Sequence, residues 1–467
     1  MPDIAVPIAV QAILCLSGGL VLRLSTDRPS PYHPGIALGL PYFAITTGPA
    51  LNYLLFGLEP YGIHLEMLAR ALWVAVMAQA GIVLGCAASI FAPVVPRRFL
   101  ALRSPRRFRT VAMLAYGVVF AVSAYSLYQR YGTLVATGKV ETAEDIWVRL
   151  HYATFLLMLA LLPAVLISDQ ILCHRMVPRR SQLAIGLFAL LCLLSAERDL
   201  VLVLIMVPIA WAGRSEQRLR PQRGFLPSAL RALGVFVAIG LLLVTLQWAR
   251  GEGGLSPSGQ VASLSEKLHQ ESMIQGVLGL GSNLFIVSRV VEWIPTEIPY
   301  QLGATYAHTL VNLLPSFVLP QLHYESLLSW FKERYAPTSD SGYGFAMEAE
   351  AYMNFGLAGP LAIFCLWTLG LCRLFERQRI IRHAFLYQYG YTFMLPFSLY
   401  CFRGDSVMWV KGFLYASGVV WVLARISGVR TLVRRKEVLR RKDSQEGRYV
   451  RPRPSLKYGW NSPQRAV

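Results

Sequence analysis

Glu348, Glu350 and Asn354 fall within the stretch Ser341-Gly-Tyr-Gly-Phe-Ala-Met-Glu-Ala-Glu-Ala-Tyr-Met-Asn-Phe-Gly-Leu-Ala-Gly359. Glu350 and Asn354 are four residues apart, so on a helix they share one face. Glu348 and Glu350 are two apart and on a helix point in directions about 200° different; only a strand would aim both at one site. A carboxylate in this setting can take a proton from an incoming hydroxyl, which makes Glu350 the candidate base. Glu348 reads as a second hydroxyl ligand or as a surface charge. Directly after these residues, the turn Gly356 to Pro360 leads into the apolar run Leu361 to Leu374. Polar side chains at the mouth of a bilayer are costly, and they usually serve a site.

Arginine is the second chemical resource. Arg198 lies in the tight Glu197-Arg198-Asp199 break, Arg403 in the break Cys401 to Asp405, and Arg250 at the end of an apolar run. Arg289 sits inside an apolar helix, where a charge needs a partner, and Arg334 shortly precedes the acidic stretch. The guanidinium fork binds phosphate oxygens in pairs and stays charged, so such arginines suit a diphosphate-linked lipid. For Arg198 and Arg403 a salt bridge to Asp199 or Asp405, or snorkelling, is the competing reading. His308 could be a second base or a hydrogen-bonded structural residue. Tyr343, Phe345 and Tyr352 could stack on sugar rings or belong to an interfacial aromatic belt.

The elements that position these residues are membrane helices. Hydrophobic residues make up 55% of the 467-residue chain and charged ones 15%, which defines an all-α integral membrane protein. We read about eleven transmembrane helices, at 4–22, 35–57, 67–91, 110–128, 150–172, 183–195, 199–213, 231–248, 356–375, 384–401 and 408–425. The 183–213 region is either two crossings or two half-helices meeting at a polar break. The organisation is an N-terminal bundle (1–249), a long outer segment (250–355), C-terminal helices (356–425) and a basic tail (426–467) expected to be disordered. In the outer segment, runs such as 274–291 and 309–318 read as short amphipathic helices on the membrane surface.

The net charge of +19 would suggest nucleic acid in a soluble protein. Here its distribution reports orientation. Alternate intervals between spans hold roughly three-quarters of the 45 Lys and Arg, whereas most of the 26 Asp and Glu lie in the other set. The positive-inside rule makes the basic set cytoplasmic, so the N-terminus and the 250–355 segment lie outside and the C-terminus inside. The partners this implies are membrane lipids, not nucleic acid. The first apolar run lacks a basic leader and a cleavage signature, and reads as a retained helix. The seven cysteines lie in or beside apolar runs and offer no disulfide framework or zinc spacing. No Asp-x-Asp pair or Walker loop is present, so neither metal nor nucleotide cofactor is expected.

The pattern Glu350-Ala-Tyr352-Met-Asn354-Phe-Gly356 with Gly359, joined to the upstream Ile-Pro and Leu-Pro turns and to Arg403-Gly404-Asp405 between two spans, resembles the O-antigen or oligosaccharide repeat-unit polymerases of the Wzy type. The resemblance covers most of the chain in layout. It implies a GT-C-like glycosyltransferase of the bacterial inner membrane, acting on the periplasmic face. The substrate implied is an undecaprenyl-diphosphate-linked oligosaccharide, transferred to the non-reducing end of another lipid-linked repeat unit, with a chain-length regulator as a candidate partner. Phosphate binding carries over to Arg198, Arg289 and Arg403, and the acidic role to Glu350; Arg250, Arg334, Glu348, Tyr352 and Asn354 complete the expected substrate site. An O-antigen ligase shares this donor and layout. A transporter or flippase would place charges deep inside several spans, and here nearly all ionisable residues sit at helix ends.

Overall fold

The computed structural model describes residues 2–25, 32–57, 63–91, 98–137, 146–173, 175–195, 200–215, 282–313, 324–335, 345–380 and 385–433, with a few isolated positions between 234 and 278. The first half comprises α1 (Pro2–Ser25), α2 (Pro34–Ala37), α3 (Gly39–Phe56), α4 (Leu65–Phe91), β1 (Arg98–Leu102), α5 (Pro105–Thr137), α6 (Ile146–Cys173), α7 (Arg179–Leu194) and α8 (Leu200–Ser215). The second half contains α9 (Ser282–Trp293), α10 (Ala304–Asn312), α11 (Leu327–Tyr335), α12 (Met347–Phe355), α13 (Ala358–Ile380), α14 (Phe385–Cys401), α15 (Ser406–Ile426) and β2 (Val429–Val433).

Six of these helices are long and apolar enough to cross a membrane: α1, α4, α5, α6, α13 and α15. Helices α7, α8 and α14 match expected spans in position but are only 16, 16 and 17 residues long. The expected span 231–248 falls almost wholly outside the described residues. Large apolar side chains remain uncovered on the outward faces, among them Ile13, Leu16, Leu114, Val118, Leu366 and Trp421, as lipid-facing positions require. Helix α6 is the exception, since Met158 to Ile167 is buried almost continuously, so this helix lies at the centre.

The two halves of the chain meet through α4 and α13. A Cβ on Gly81 would stand 2.5 Å from the Leu361 carbonyl oxygen, and one on Gly85 would stand 2.5 Å from that of Cys365. Only a residue without a side chain lets the two backbones come this close. The register 81 to 361 and 85 to 365 makes the helices parallel, so the start of α13, where the acidic stretch ends, lies at the same end of the bundle as the start of α4.

The described residues are predominantly helical, as expected, with one two-stranded ribbon added: β1 pairs antiparallel with β2, Arg98 opposite Val433 and Leu102 opposite Val429. Strand β2 follows α15 after a single turn and pairs with β1, which lies between α4 and α5. One expectation is corrected, the surface reading of 274–291, of which 282–291 are described throughout. In α9, Leu284, Phe285, Ile286, Val287, Val290, Val291 and Ile294 are all buried, in one cluster with Ile4, Leu68, Leu72, Phe331, Phe345 and Ala349. This helix packs against α3, α4, α11 and α12, so it forms part of the core.

Candidate active site

Helix α12 is nine residues long and outside the spanning segments, and it is covered on every side from Met347 to Asn354. Its end is set by two glycines. Gly356 takes φ +58°, and a Cβ on Gly359 would lie 1.9 Å from the Ala351 carbonyl oxygen, so the chain can fold back into α13 only with glycine there. The loop before α10 clamps this end: the Gln301 and Leu302 amides donate to the Met353 and Asn354 carbonyls at 3.0 and 3.1 Å. Asn354 locks the same loop, its Oδ1 accepting from the Gly303 amide at 2.9 Å while its Nδ2 donates to Thr305 Oγ1 at 2.7 Å.

Glu350 is the hub. Its Oε1 accepts from the Thr305 hydroxyl at 2.8 Å and the Ser406 hydroxyl at 2.5 Å, and its Oε2 accepts from the Ser406 amide at 2.6 Å. The Ser406 hydroxyl in turn lies 2.5 Å from that of Thr309. Ser406 is the first residue of α15, so the carboxylate sits on the positive end of a membrane helix. Asp405 already caps that helix, its Oδ1 accepting from the Met408 amide at 3.0 Å. The carboxyl of Glu350 is pushed up to about 7, because burial outweighs the Ser406 and Thr305 hydrogen bonds that hold it down, and Asp405 adds to the rise. Burial also raises Asp405.

Glu348 differs. It is fully buried, yet neither carboxylate oxygen has a hydrogen-bond partner among the described residues, and burial pushes it up to about 8. Near it is Tyr42 of α3, whose hydroxyl is likewise buried and unpaired among the described residues. The expected opposition of the two glutamates on one helix holds, but neither is a surface charge. Tyr352 is anchored as well, its hydroxyl donating to the Ile294 carbonyl at 3.3 Å and its ring edge-on to Tyr300.

Two arginines lie where α9 meets α11, and their contacts are reciprocal. Arg289 of α9 pairs with Glu292 at 2.8 Å and lies over the Tyr335 ring of α11 at 5.2 Å. Arg334 of α11 pairs with Glu297 and lies over the Trp293 ring of α9 at 5.0 Å. The charge in the apolar helix thus has its partner one turn away on its own helix. Arg403 enters through its backbone: its carbonyl accepts from the Phe345 amide at 3.3 Å, and the neighbouring Phe402 carbonyl accepts from Asn283 at 2.6 Å. His308 stacks on Tyr324, ring centres 3.7 Å apart. Arg198 and Arg250 lie outside the described residues. Thr305, Thr309, Ser406 and Tyr42 escaped sequence reasoning, since Thr305 and Ser406 lie 45 and 56 residues from Glu350. The one available signal was Asp405-Ser406 opening a span, a helix-cap pattern.

These features define a multi-pass, predominantly helical membrane protein with a buried carboxylate site at one end of its bundle. Residues 235–436 match the family model described as O-antigen polysaccharide polymerase Wzy, a stretch that takes in α9 to α15 and so the whole Glu350 network. The match supports a Wzy-type family for the chain and an O-antigen polymerase in general, the family its motif resembles. No curated protein and no solved structure matches the chain.

Proposed function

We propose that the protein is a polysaccharide polymerase of the bacterial inner membrane. It transfers a glycan from an undecaprenyl-diphosphate carrier to the non-reducing end of a second lipid-linked repeat unit, on the periplasmic face. The observation that carries this reading is the position of Glu350. A carboxylate with a pKa near neutrality stands at the mouth of a span, inside the family-matched stretch, with arginines on adjacent helices.

In this reading the bond between the anomeric carbon and the phosphate oxygen breaks, and a bond from that carbon to the acceptor hydroxyl oxygen forms. The carrier diphosphate leaves with the electron pair. Arg289, Arg334 and Arg403, with Arg198 and Arg250, stabilise the charge that develops on it. Arg289 and Arg334 are held by carboxylates in the resting arrangement, so the diphosphate takes the place of Glu292 and Glu297 as it binds. The acceptor proton goes to Glu350. Because Glu350 is 1% exposed and its oxygens are engaged, the proton travels through the Thr309 and Ser406 hydroxyls, which form a chain ending on Oε1. Tyr352 and Asn354 hold the wall of the site, and Glu348 lies beneath it.

The test is direct. Purified full-length protein supplied with lipid-diphosphate repeat units should yield a ladder of products on a gel, and the ladder should form far more slowly with the Glu350→Gln variant. A deletion strain separates the ligase alternative. Loss of long chains with a single capped unit remaining supports the polymerase, whereas loss of every cap overturns it in favour of a ligase.

A further inference from the structure

Away from the Glu350 network, three metal-ligating side chains from distant parts of the sequence meet: His33, just before α2, Cys86 of α4 and Cys372 of α13. Their donor atoms all lie within 4.8 Å of one another, and the two Sγ atoms are 3.9 Å apart. Two thiolates bound to one tetrahedral zinc ion, each at about 2.3 Å, stand about 3.8 Å apart, whereas a disulfide requires about 2.05 Å. The two thiols, which share a hydrogen bond from Cys372 Sγ to Cys86 Sγ, thus stand close to the separation of two ligands on one ion. All three side chains are buried, with exposures of 6%, 1% and 0%.

We propose that His33, Cys86 and Cys372 bind a thiophilic divalent cation of the zinc class. Donor chemistry selects the ion, since thiolate and imidazole suit zinc and its neighbours, whereas calcium and magnesium require oxygen ligands. Charge selects it again. A divalent cation with two thiolates and a neutral imidazole sums to zero, the state a low-dielectric interior tolerates best. On binding, the two S–H bonds break, two metal–sulfur bonds and one metal–nitrogen bond form, a water retained from the ion's own shell takes the fourth position, and two protons leave to water; no electron is transferred. The His33 Nδ1 now accepts from the Gly35 amide at 3.2 Å. A neutral ring has one free lone pair, so capture of the ion forfeits this hydrogen bond, a small loss beside the binding free energy of a thiolate site. Phe375, edge-on to the imidazole at 5.1 Å, fixes the plane of the ring. The ion would tie α2 and α4 of the first half of the chain to α13 of the second, at the end of α13 remote from the Gly356 turn.

Full-length protein in detergent is equilibrated with zinc, desalted, and analysed for metal by mass spectrometry. One zinc per chain is expected, falling at least tenfold in Cys86→Ser and Cys372→Ser. Cobalt in place of zinc should give the thiolate-to-metal charge-transfer absorption. The cobalt absorption is read on the unmodified protein and should be lost on adding a chelator, a readout that does not depend on the variants folding. Failure of the unmodified protein to retain zinc, undiminished zinc in both serine variants, or a Cys86–Cys372 disulfide in protein isolated without reductant would each overturn the proposal.

Discussion

Ser406 holds Glu350 with two groups at once, its amide on one carboxylate oxygen at 2.6 Å and its hydroxyl on the other at 2.5 Å. The first residue of the last membrane helix is thereby fixed to the acidic helix that precedes α13. Removing the hydroxyl alone, in Ser406→Ala, should cost about 1.5–3 kcal/mol of stability, as for a hydrogen bond to a charged acceptor. Because that bond holds the Glu350 carboxyl down, its loss should move the acid limb of the polymerisation pH profile upward. An unchanged profile would detach Ser406 from the chemistry.

Glu350→Gln keeps the size of the side chain and removes its basicity. The rate of ladder formation should fall ~10²–10⁴-fold, the usual range for losing a general base, while binding of the lipid-linked substrate stays nearly constant. Full activity in this variant would leave the proton acceptor to be sought elsewhere.

Glu348 makes a prediction about stability and pH. Its carboxyl is raised from 4.5 to about 8, so the folded protein keeps a proton that the unfolded chain has already released. Stability should therefore decline as pH rises from about 4.5 through about 8 and then level off. Glu348→Gln should flatten this decline and melt higher than the unmodified protein at pH 8. A lower melting temperature there would mean that the ionised carboxylate has a partner that stabilises it.

Arg289→Lys keeps the charge and loses both the planar fork and its packing between Phe285 and Tyr335. Polymerisation should fall by about tenfold or more with the protein still inserted and accumulated. Normal ladders from this variant would make the Arg289–Glu292 pair purely structural.

Orientation can be checked by labelling. A cysteine introduced within 255–265 should react with an impermeant thiol reagent added from the periplasmic side, and one within 450–460 should not. The reverse pattern would put the Glu350 network on the cytoplasmic face.

Much of the helical layout was legible because the apolar runs and the segregated arginines and lysines are dense signals. The Glu350 and Asn354 face was legible too, since four-residue spacing is a local property. What sequence could not supply is long-range. Thr305 and Ser406 are unremarkable until α10 and α15 are brought onto α12. The surroundings of Glu348 include Tyr42 of α3, about three hundred residues earlier, and a carboxylate between Met347 and Ala349 looks the same in sequence whether exposed or enclosed. The reading of α9 as a surface helix failed because its periodic apolar face is only part of what is covered; the opposite face meets α11 and α12. The His33, Cys86 and Cys372 cluster has no spacing to recognise, because each residue comes from a different helix region.

The glycine notch on α4 bears on how the chain is built. Gly81 and Gly85 are covered by residues of α13 that follow them by about 280 positions, so during insertion the N-terminal helices wait in the bilayer with that notch open. The strand pair imposes the same order, since β1 stays an unpaired edge until Val429 to Val433 has been translated. Assembly is therefore completed from the carboxyl end, and a chain truncated before α13 would keep the acidic helix but leave the groove on α4 vacant.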